Sequence, residues 1–351
     1  MSARACGAMR RLATFMKFAQ NGARREAVRV QFDGARRTLC ALAILACSAV
    51  VASAQQNAEI QALKVQGNVY LLTGAGGNVV VQVGDQGVLV VDTGLAQTAD
   101  KVLAAIRKIS DKPIQYILNT HLHPDHTGGN DLIRKAGATF TGANVTGNLT
   151  DAALGAQVFA QDNVLKRMSA PTGKQAAMPF GDWPTETYLS ARKQMFFNGE
   201  PVEMIHQPAA HTDGDSLVWF RRSDVIVAGD ILVTTTYPFI DVDRGGSIQG
   251  EVDALNNILD MAVAGHQDEG GTFIIPGHGR VYDKPDLLEF RDMVTIIRDR
   301  VQASIKKGMT LEQVKAAGLT KDYDAQYSAK SGFGTKDMFV EAVYKSLTQK
   351  K

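Results

Sequence analysis

The stretch His121-Leu122-His123-Pro124-Asp125-His126 places four metal-ligating side chains within six residues. It follows Ile114–Leu118, an apolar run of strand type, and the pair Asn119-Thr120. His121 and His123 are two apart, so at a strand end their side chains point the same way and chelate one cation. Pro124 stiffens the turn, and Asp125 and His126 then face a second cation about 3.5–4 Å away, the usual separation of two-metal sites. Gly128-Gly129 allows the close backbone approach that such a crowded loop needs. Zinc accepts imidazole and carboxylate ligands at roughly 2.0–2.2 Å.

The chain has seven histidines, and five fall in three short loop-like segments. Besides the first motif these are His211, in Ala209-Ala-His-Thr-Asp-Gly-Asp215, and His278, in Pro276-Gly-His-Gly279. A polar turn without metal does not account for that clustering. His206 reads as a strand residue with a satisfied hydrogen bond, and His266 as a surface residue. Asp230, after the apolar run Val225–Ala228, is either a metal ligand or a helix N-cap, a common use of Asp where a strand gives way to a helix. Tyr237, Phe239, Phe180 and Trp183 are candidates to line a substrate pocket, with ordinary packing as the alternative.

Together these pieces resemble the metallo-β-lactamase superfamily. Asn119-Thr120 before His-x-His-x-Asp-His, Val-Val-Asp92-Thr-Gly upstream, His211-Thr212, Ala228-Gly-Asp230 and Pro-Gly-His278-Gly occur in the family's order over residues 65–280. Position by position, the resemblance implies two zinc ions per chain. His121, His123 and His211 would hold one, and Asp125, His126 and His278 the other. Asp230 stands where glyoxalase II-like members have a carboxylate bridging both ions. Asp92 matches an outer aspartate that orients a ligating histidine loop. The implied fold is α/β, a four-layer αββα sandwich.

Periodicity is compatible with that architecture. Asn68–Leu72, Asn78–Val83 and Gly87–Val91 read as strands between Gly-rich turns, followed by a helix over 98–109. The second half repeats the plan, with strands at Gln194–Phe197, Val202–His206, Leu217–Phe220, Val225–Val227 and Thr272–Ile275 and a helix over 250–263. Amphipathic helices are expected over 284–306, 310–317 and 338–348. Residues 144–166 look helical in composition, and 168–187, with three prolines, look like a long loop or flap. Residues after 280 say nothing about substrate.

The first 54 residues read as a leader rather than enzyme. Nine basic residues against Glu26 and Asp33 precede the short apolar run Leu39–Val51 and the small-residue site Ala52-Ser53-Ala54. That order marks a secretory signal cleaved near Ala54/Gln55, with a periplasmic or secreted protein as the expectation. Met9 and Met16 are alternative starts, Arg36-Arg37 admits twin-arginine export, and Cys47 is a poor lipoprotein site. The expected organisation is therefore leader 1–54 and catalytic domain 55–351, with core 65–280 and C-terminal helices 284–351. Of 38 Lys and Arg and 36 Asp and Glu, 29 and 34 lie beyond the leader, a net −5. Nucleic acid is not an expected partner, nor is a stable membrane anchor. Cys6, Cys40 and Cys47 all lie in the leader, so metal ligation in the rest falls to N and O donors.

The function expected is an exported dinuclear zinc hydrolase. A metal-bridging hydroxide, positioned by Asp125, would attack an amide, ester, lactone, thioester or phosphodiester of a small molecule. A true β-lactamase is one alternative. Asp230 replaces the zinc-ligand cysteine of one β-lactamase subclass, however, and Ile231–Thr236 lacks the lysine that grips the drug's carboxylate. An iron-dependent redox enzyme, or a metal-binding module without turnover, is the other.

Overall fold

The computed structural model describes residues 59–138, 155–171, 177–265 and 270–349, all within the compact unit Ala58–Lys351. The proposed leader, His266 and residues 144–154 of the expected helix lie outside the described residues.

Two sheets form the framework. The first runs β1 (Gln61–Gln66), β2 (Val69–Ala75), β3 (Gly77–Gly84), β4 (Gly87–Val91), β5 (Ile114–Leu118), β6 (Gln157–Gln161) and β7 (Glu186–Tyr188) in spatial order. Its first four strands are an antiparallel meander, and β4 to β7 pair in parallel. The second runs β12 (Phe273–His278), β11 (Val225–Val233), β10 (Asp215–Phe220), β9 (Glu200–Gln207) and β8 (Arg192–Phe197), antiparallel except for the β11–β12 pair.

Strand alternation decides what each face meets. Val80, Leu89 and Val91 point into a core shared with Val202, Met204, Val218 and Val227 of the other sheet. Val79, Val81, Val88 and Val90 point outward onto Val102, Ala105 and Ile106 of α1 (Ala99–Ile109) and Ile133 of the later α3. Because both faces are covered, β3 and β4 read as near-continuous apolar runs. The outer face of the second sheet is covered by α5 (Ile248–Met261), α6 (Lys284–Lys306) and α9 (Lys336–Thr348). The result is the expected helix–sheet–sheet–helix sandwich. The remaining short helices are α2 (Pro124–Thr127), α3 (Asn130–Lys135), α4 (Asp162–Ser169), α7 (Leu311–Ala316) and α8 (Asp324–Tyr327).

Several expectations change. The helical reading of 144–166 fails where it is described: Gln157–Gln161 is strand β6, and only Asp162 onward is helical. Five residues of Gln, Val, Phe and Ala carry no decisive local preference, and parallel pairing with β5 settles their conformation. In 168–187, α4 ends at Ser169, Phe180–Asp182 forms a turn and Glu186–Tyr188 is strand β7. Among the described residues no helix is long and apolar enough to cross a membrane.

Candidate metal centre

All seven predicted ligands gather in one place: the segment after β5 brings His121, His123, Asp125 and His126, the loop after β9 brings His211, and strands β11 and β12 bring Asp230 and His278. One nitrogen or carboxylate oxygen from each of His121, His123, His211 and Asp230 lies within 4.8 Å of the others. Asp125, His126 and His278 form a second group of the same kind. Asp230 stands between the two groups. Its Oδ2 is 3.9 Å from His121 Nε2 and 3.8 Å from His211 Nε2, and its Oδ1 is 3.1 Å from His126 Nε2 and 3.5 Å from His278 Nε2. The N-cap alternative fails, because Asp230 lies inside β11, at an irregular register against β12.

The outer partners decide what each ring offers inward. Asp92, in the left-handed region at φ 58°, accepts from Thr120 N at 2.8 Å, Thr120 Oγ1 at 2.7 Å and His126 Nδ1 at 2.8 Å. With its own proton given to Asp92, Thr120 Oγ1 accepts from His121 Nδ1 at 3.0 Å. His123 Nε2 donates to Asp241 Oδ2 at 3.0 Å, and His211 Nδ1 donates to the Phe239 carbonyl. These four hydrogen bonds turn His121 Nε2, His123 Nδ1, His126 Nε2 and His211 Nε2 inward as the nitrogens free to bind a cation.

Such an arrangement fits a cation and little else. His211 Nε2 and His123 Nδ1 face each other at 2.9 Å, and His126 Nε2 and His278 Nε2 at 3.4 Å. His121 Nε2 and Asp230 Oδ1 are buried with no hydrogen-bond partner. Buried orphan acceptors are costly unless something positive sits among them. Burial pushes His121 well below the usual histidine range, and burial together with His123 brings His211 down to about 4, so both rings are neutral ligands at physiological pH. Burial also presses on His126 and His278, but Asp230, helped by Asp92 at His126 and by Asp125 at His278, outweighs it and raises both. A metal ion there competes with that proton.

Glycines let the strand ends close on the centre. A Cβ on Gly277 would collide with Asp230 Oδ1 and with the backbone of Gly229, so no other residue fits between His278 and Asp230. The Asn78 side chain crosses between the sheets to hold this turn, donating to Pro276 O at 2.9 Å and Gly279 O at 3.1 Å.

A cavity of about 560 Å³ opens onto His123, Asp125, Asp230 and His278. Tyr237 and Phe239 line it, as one of the two sequence readings allowed. Phe180 and Trp183 are not part of this lining and pack against each other at 5.1 Å. Three contributors escaped the sequence reading: Asp241, Arg244 and Phe333. Phe333 and Gly334, both beyond residue 280, are part of this lining. His206 keeps its simple role, bonded to Asp213 O at 2.9 Å.

Residues 65–278 match the sequence profile of the metallo-beta-lactamase superfamily. The chain belongs to that family. It is 26% identical over 289 residues to a linear primary-alkylsulfatase of Pseudomonas sp. (strain ATCC 19151), an alignment covering 74% of this chain and 53% of the relative. This chain thus spans about half the length of that relative. Among solved structures it resembles the stereoselective inverting sec-alkylsulfatase Pisa1 from Pseudomonas sp., with TM-score 0.58 and 18% identity, covering 82% of this chain and 50% of that one. It also resembles the DIM-1 metallo-beta-lactamase, with TM-score 0.50 and 17% identity, covering 68% and 97%. At these identities the structural likenesses establish the fold.

Proposed function

We propose that this chain is an exported dinuclear zinc hydrolase acting on an ester bond of a small molecule, with sulfate esters of apolar alcohols as the foremost substrate class. The observation that carries the reading is a cavity whose floor holds two groups of inward-facing lone pairs sharing one carboxylate, Asp230. His121, His123 and His211 would hold one ion, Asp125, His126 and His278 the other, with Asp230 between them. When bound, such a pair supplies water of lowered pKa and polarises the substrate oxygen.

The residues around it do the rest. Asp125, part-exposed at the cavity wall and 3.0 Å from His278, orients the attacking water. Burial pushes its carboxyl up, but the His278 hydrogen bond and the charge of His126 bring it below the usual range, so it is an acceptor at neutral pH. Leu95, Pro124, Val233, Tyr237 and Phe239 give the cavity an apolar wall, while Thr235, Thr236 and Arg244 supply polar contacts. The sulfate-ester reading draws on the similarity to alkylsulfatases and on that wall.

Metal analysis of protein purified without chelator, with a panel of alkyl and aryl sulfates, lactones, thioesters, bis-p-nitrophenyl phosphate and nitrocefin, tests this. Close to two zinc ions and preferred turnover of sulfate esters are expected. Iron with visible absorbance, or one ion reproducibly, would refute the dinuclear zinc centre, and preferred turnover of nitrocefin would make it a β-lactamase. Export is tested by the native N-terminus, expected at or near Gln55.

A further inference from the structure

One wall of the cavity comes from outside the family-matched stretch 65–278. The segment joining α7 to α9 is fastened to the loop after β11 through Tyr237. Its backbone N donates to Tyr327 O at 2.7 Å, and its hydroxyl donates to Thr320 O at 3.1 Å and reaches Asp324 Oδ1 at 3.0 Å. The Tyr237 ring stacks on Phe339 at 5.2 Å and 9°. From this anchor Ser331-Gly-Phe-Gly334 leads to the cavity, which Phe333 and Gly334 line.

The two glycines fix its course. Gly332 and Gly334 lie at φ 77° and 76°, a conformation that residues with side chains rarely adopt. Gly334 is also packed so closely on Thr236 that a Cβ would collide with it. Phe333 is thereby carried to the cavity mouth, 5.2 Å from Phe239 at 62°. The Phe239 ring in turn lies 6.1 Å from His123 and 5.8 Å from His211. Yet 72% of Phe333 remains exposed. A phenyl ring left open to water beside an apolar wall gains contact area only when something apolar fills the gap.

We propose that Phe333 is a specificity-determining residue that, with Phe239, forms an aromatic clamp for an uncharged aryl or compact apolar group attached beside the bond held at the metal centre. The clamp rests on the dinuclear hydrolase reading, and it adds the group that the substrate presents and the residue that selects it.

The test uses two non-hydrolysable anions, phenylphosphonate and methylphosphonate, titrated calorimetrically into the zinc-loaded full chain. Both offer the same phosphonate oxygens to the centre, so their affinity ratio isolates the clamp. The wild type is expected to prefer phenylphosphonate. Phe333→Ala should lower that preference about three- to tenfold, the range an aromatic pair is worth, with the methylphosphonate Kd nearly constant. Phe333→Leu keeps an apolar side chain without a ring and should lose an intermediate amount. For hydrolysis of aryl substrates the loss should appear in KM and not in kcat. A wild type that binds the two anions equally, or binds neither while holding two metal ions, overturns the clamp. So does an unchanged ratio in both variants. A wild type that holds no metal pair overturns the hydrolase reading beneath it.

Discussion

His123 and Asp241, 118 residues apart in the chain, meet with Nε2 and Oδ2 3.0 Å apart, and Arg244 Nη1 lies 2.7 Å from the same oxygen. This contact fixes which nitrogen of His123 carries the proton. With Nε2–H committed to the carboxylate, Nδ1 is the atom presented to His121, His211 and Asp230. Burial pushes the Asp241 carboxyl up, but the His123 and Arg244 hydrogen bonds outweigh it and hold the group at about 2. It is therefore an anion throughout the working pH range.

Asp241→Ala should weaken metal binding at the three-histidine site by about 10–100-fold, the usual effect of removing an outer partner of a ligating histidine. Competition against a chelator of known affinity reads this directly. Asp241 also accepts from Arg244 N in the turn Val242–Arg244, so Arg244→Ala serves as the comparison. That variant keeps the His123 contact and should retain most of the affinity. Equal zinc affinity in Asp241→Ala and wild type would remove Asp241 from any role at the centre.

Gly277→Ala tests how closely β12 must approach Asp230. The added methyl would meet a carboxylate oxygen and the backbone of Gly229 and Asp230, which no rotamer change relieves. A stability loss of roughly 1–3 kcal/mol, typical of overpacking, should accompany a fall in zinc content. Thermal unfolding and metal analysis on the same preparation check both, and a variant with two ions and unchanged melting would mean that the strand end is more pliable than its packing indicates.

Much of the centre was legible because the residues that gather there carry sequence signals. His121, His123, Asp125 and His126 declare themselves by spacing, and His211 and His278 stand out only in company with that motif. The apolar runs Val79–Val81 and Val88–Val91 between Gly-rich turns likewise marked out β3 and β4. Asp241 had no such mark: Ile240-Asp-Val-Asp243 offers two carboxylates with no spacing to choose between them, and only the tertiary fold places one against His123. Phe333 was hidden for a related reason. Ser331-Gly-Phe-Gly334 carries no local signal of a site, and only the docking of Tyr237 on Tyr327 and Phe339 brings Phe333 and Gly334 into the cavity lining. Strand β6 reads wrongly as helix, and the cap alternative for Asp230 stays open, because only pairing with neighbouring strands decides both.

Asp230→Asn removes one negative charge from between the two ligand groups while preserving side-chain volume. Because Asp230 lies within β11 and caps no helix, the substitution has no secondary-structure cost to confuse the result. Affinity should fall by more than about 100-fold, beyond the upper end for outer partners, most at the Asp125/His126/His278 group. Turnover should fall severely with circular dichroism unchanged. Two retained zinc ions with near-native turnover would show that Asp230 does not bridge.

Glu251 poses the last question, because it is fully buried on α5 and neither carboxylate oxygen has a hydrogen-bond partner. Burial raises its pKa well above the ordinary glutamate value, and the negative charges of Asp215 and Asp230 add to the effect. The folded chain therefore keeps this proton at pH values where the unfolded chain has released it. By linkage, stability from this group is fully present below the unfolded glutamate pKa and is lost as pH rises through the folded one. Glu251→Gln keeps the shape and abolishes the titration. It should melt close to wild type near pH 4 and hold a growing advantage toward pH 8, with about 2–4 °C for each kcal/mol relieved. Both proteins should be scanned with zinc saturating, so that Asp230 carries the same charge environment in each. Parallel melting profiles across that range would mean that Glu251 ionises in the folded chain as readily as in the unfolded one, and that the space around it is wetter than its burial implies.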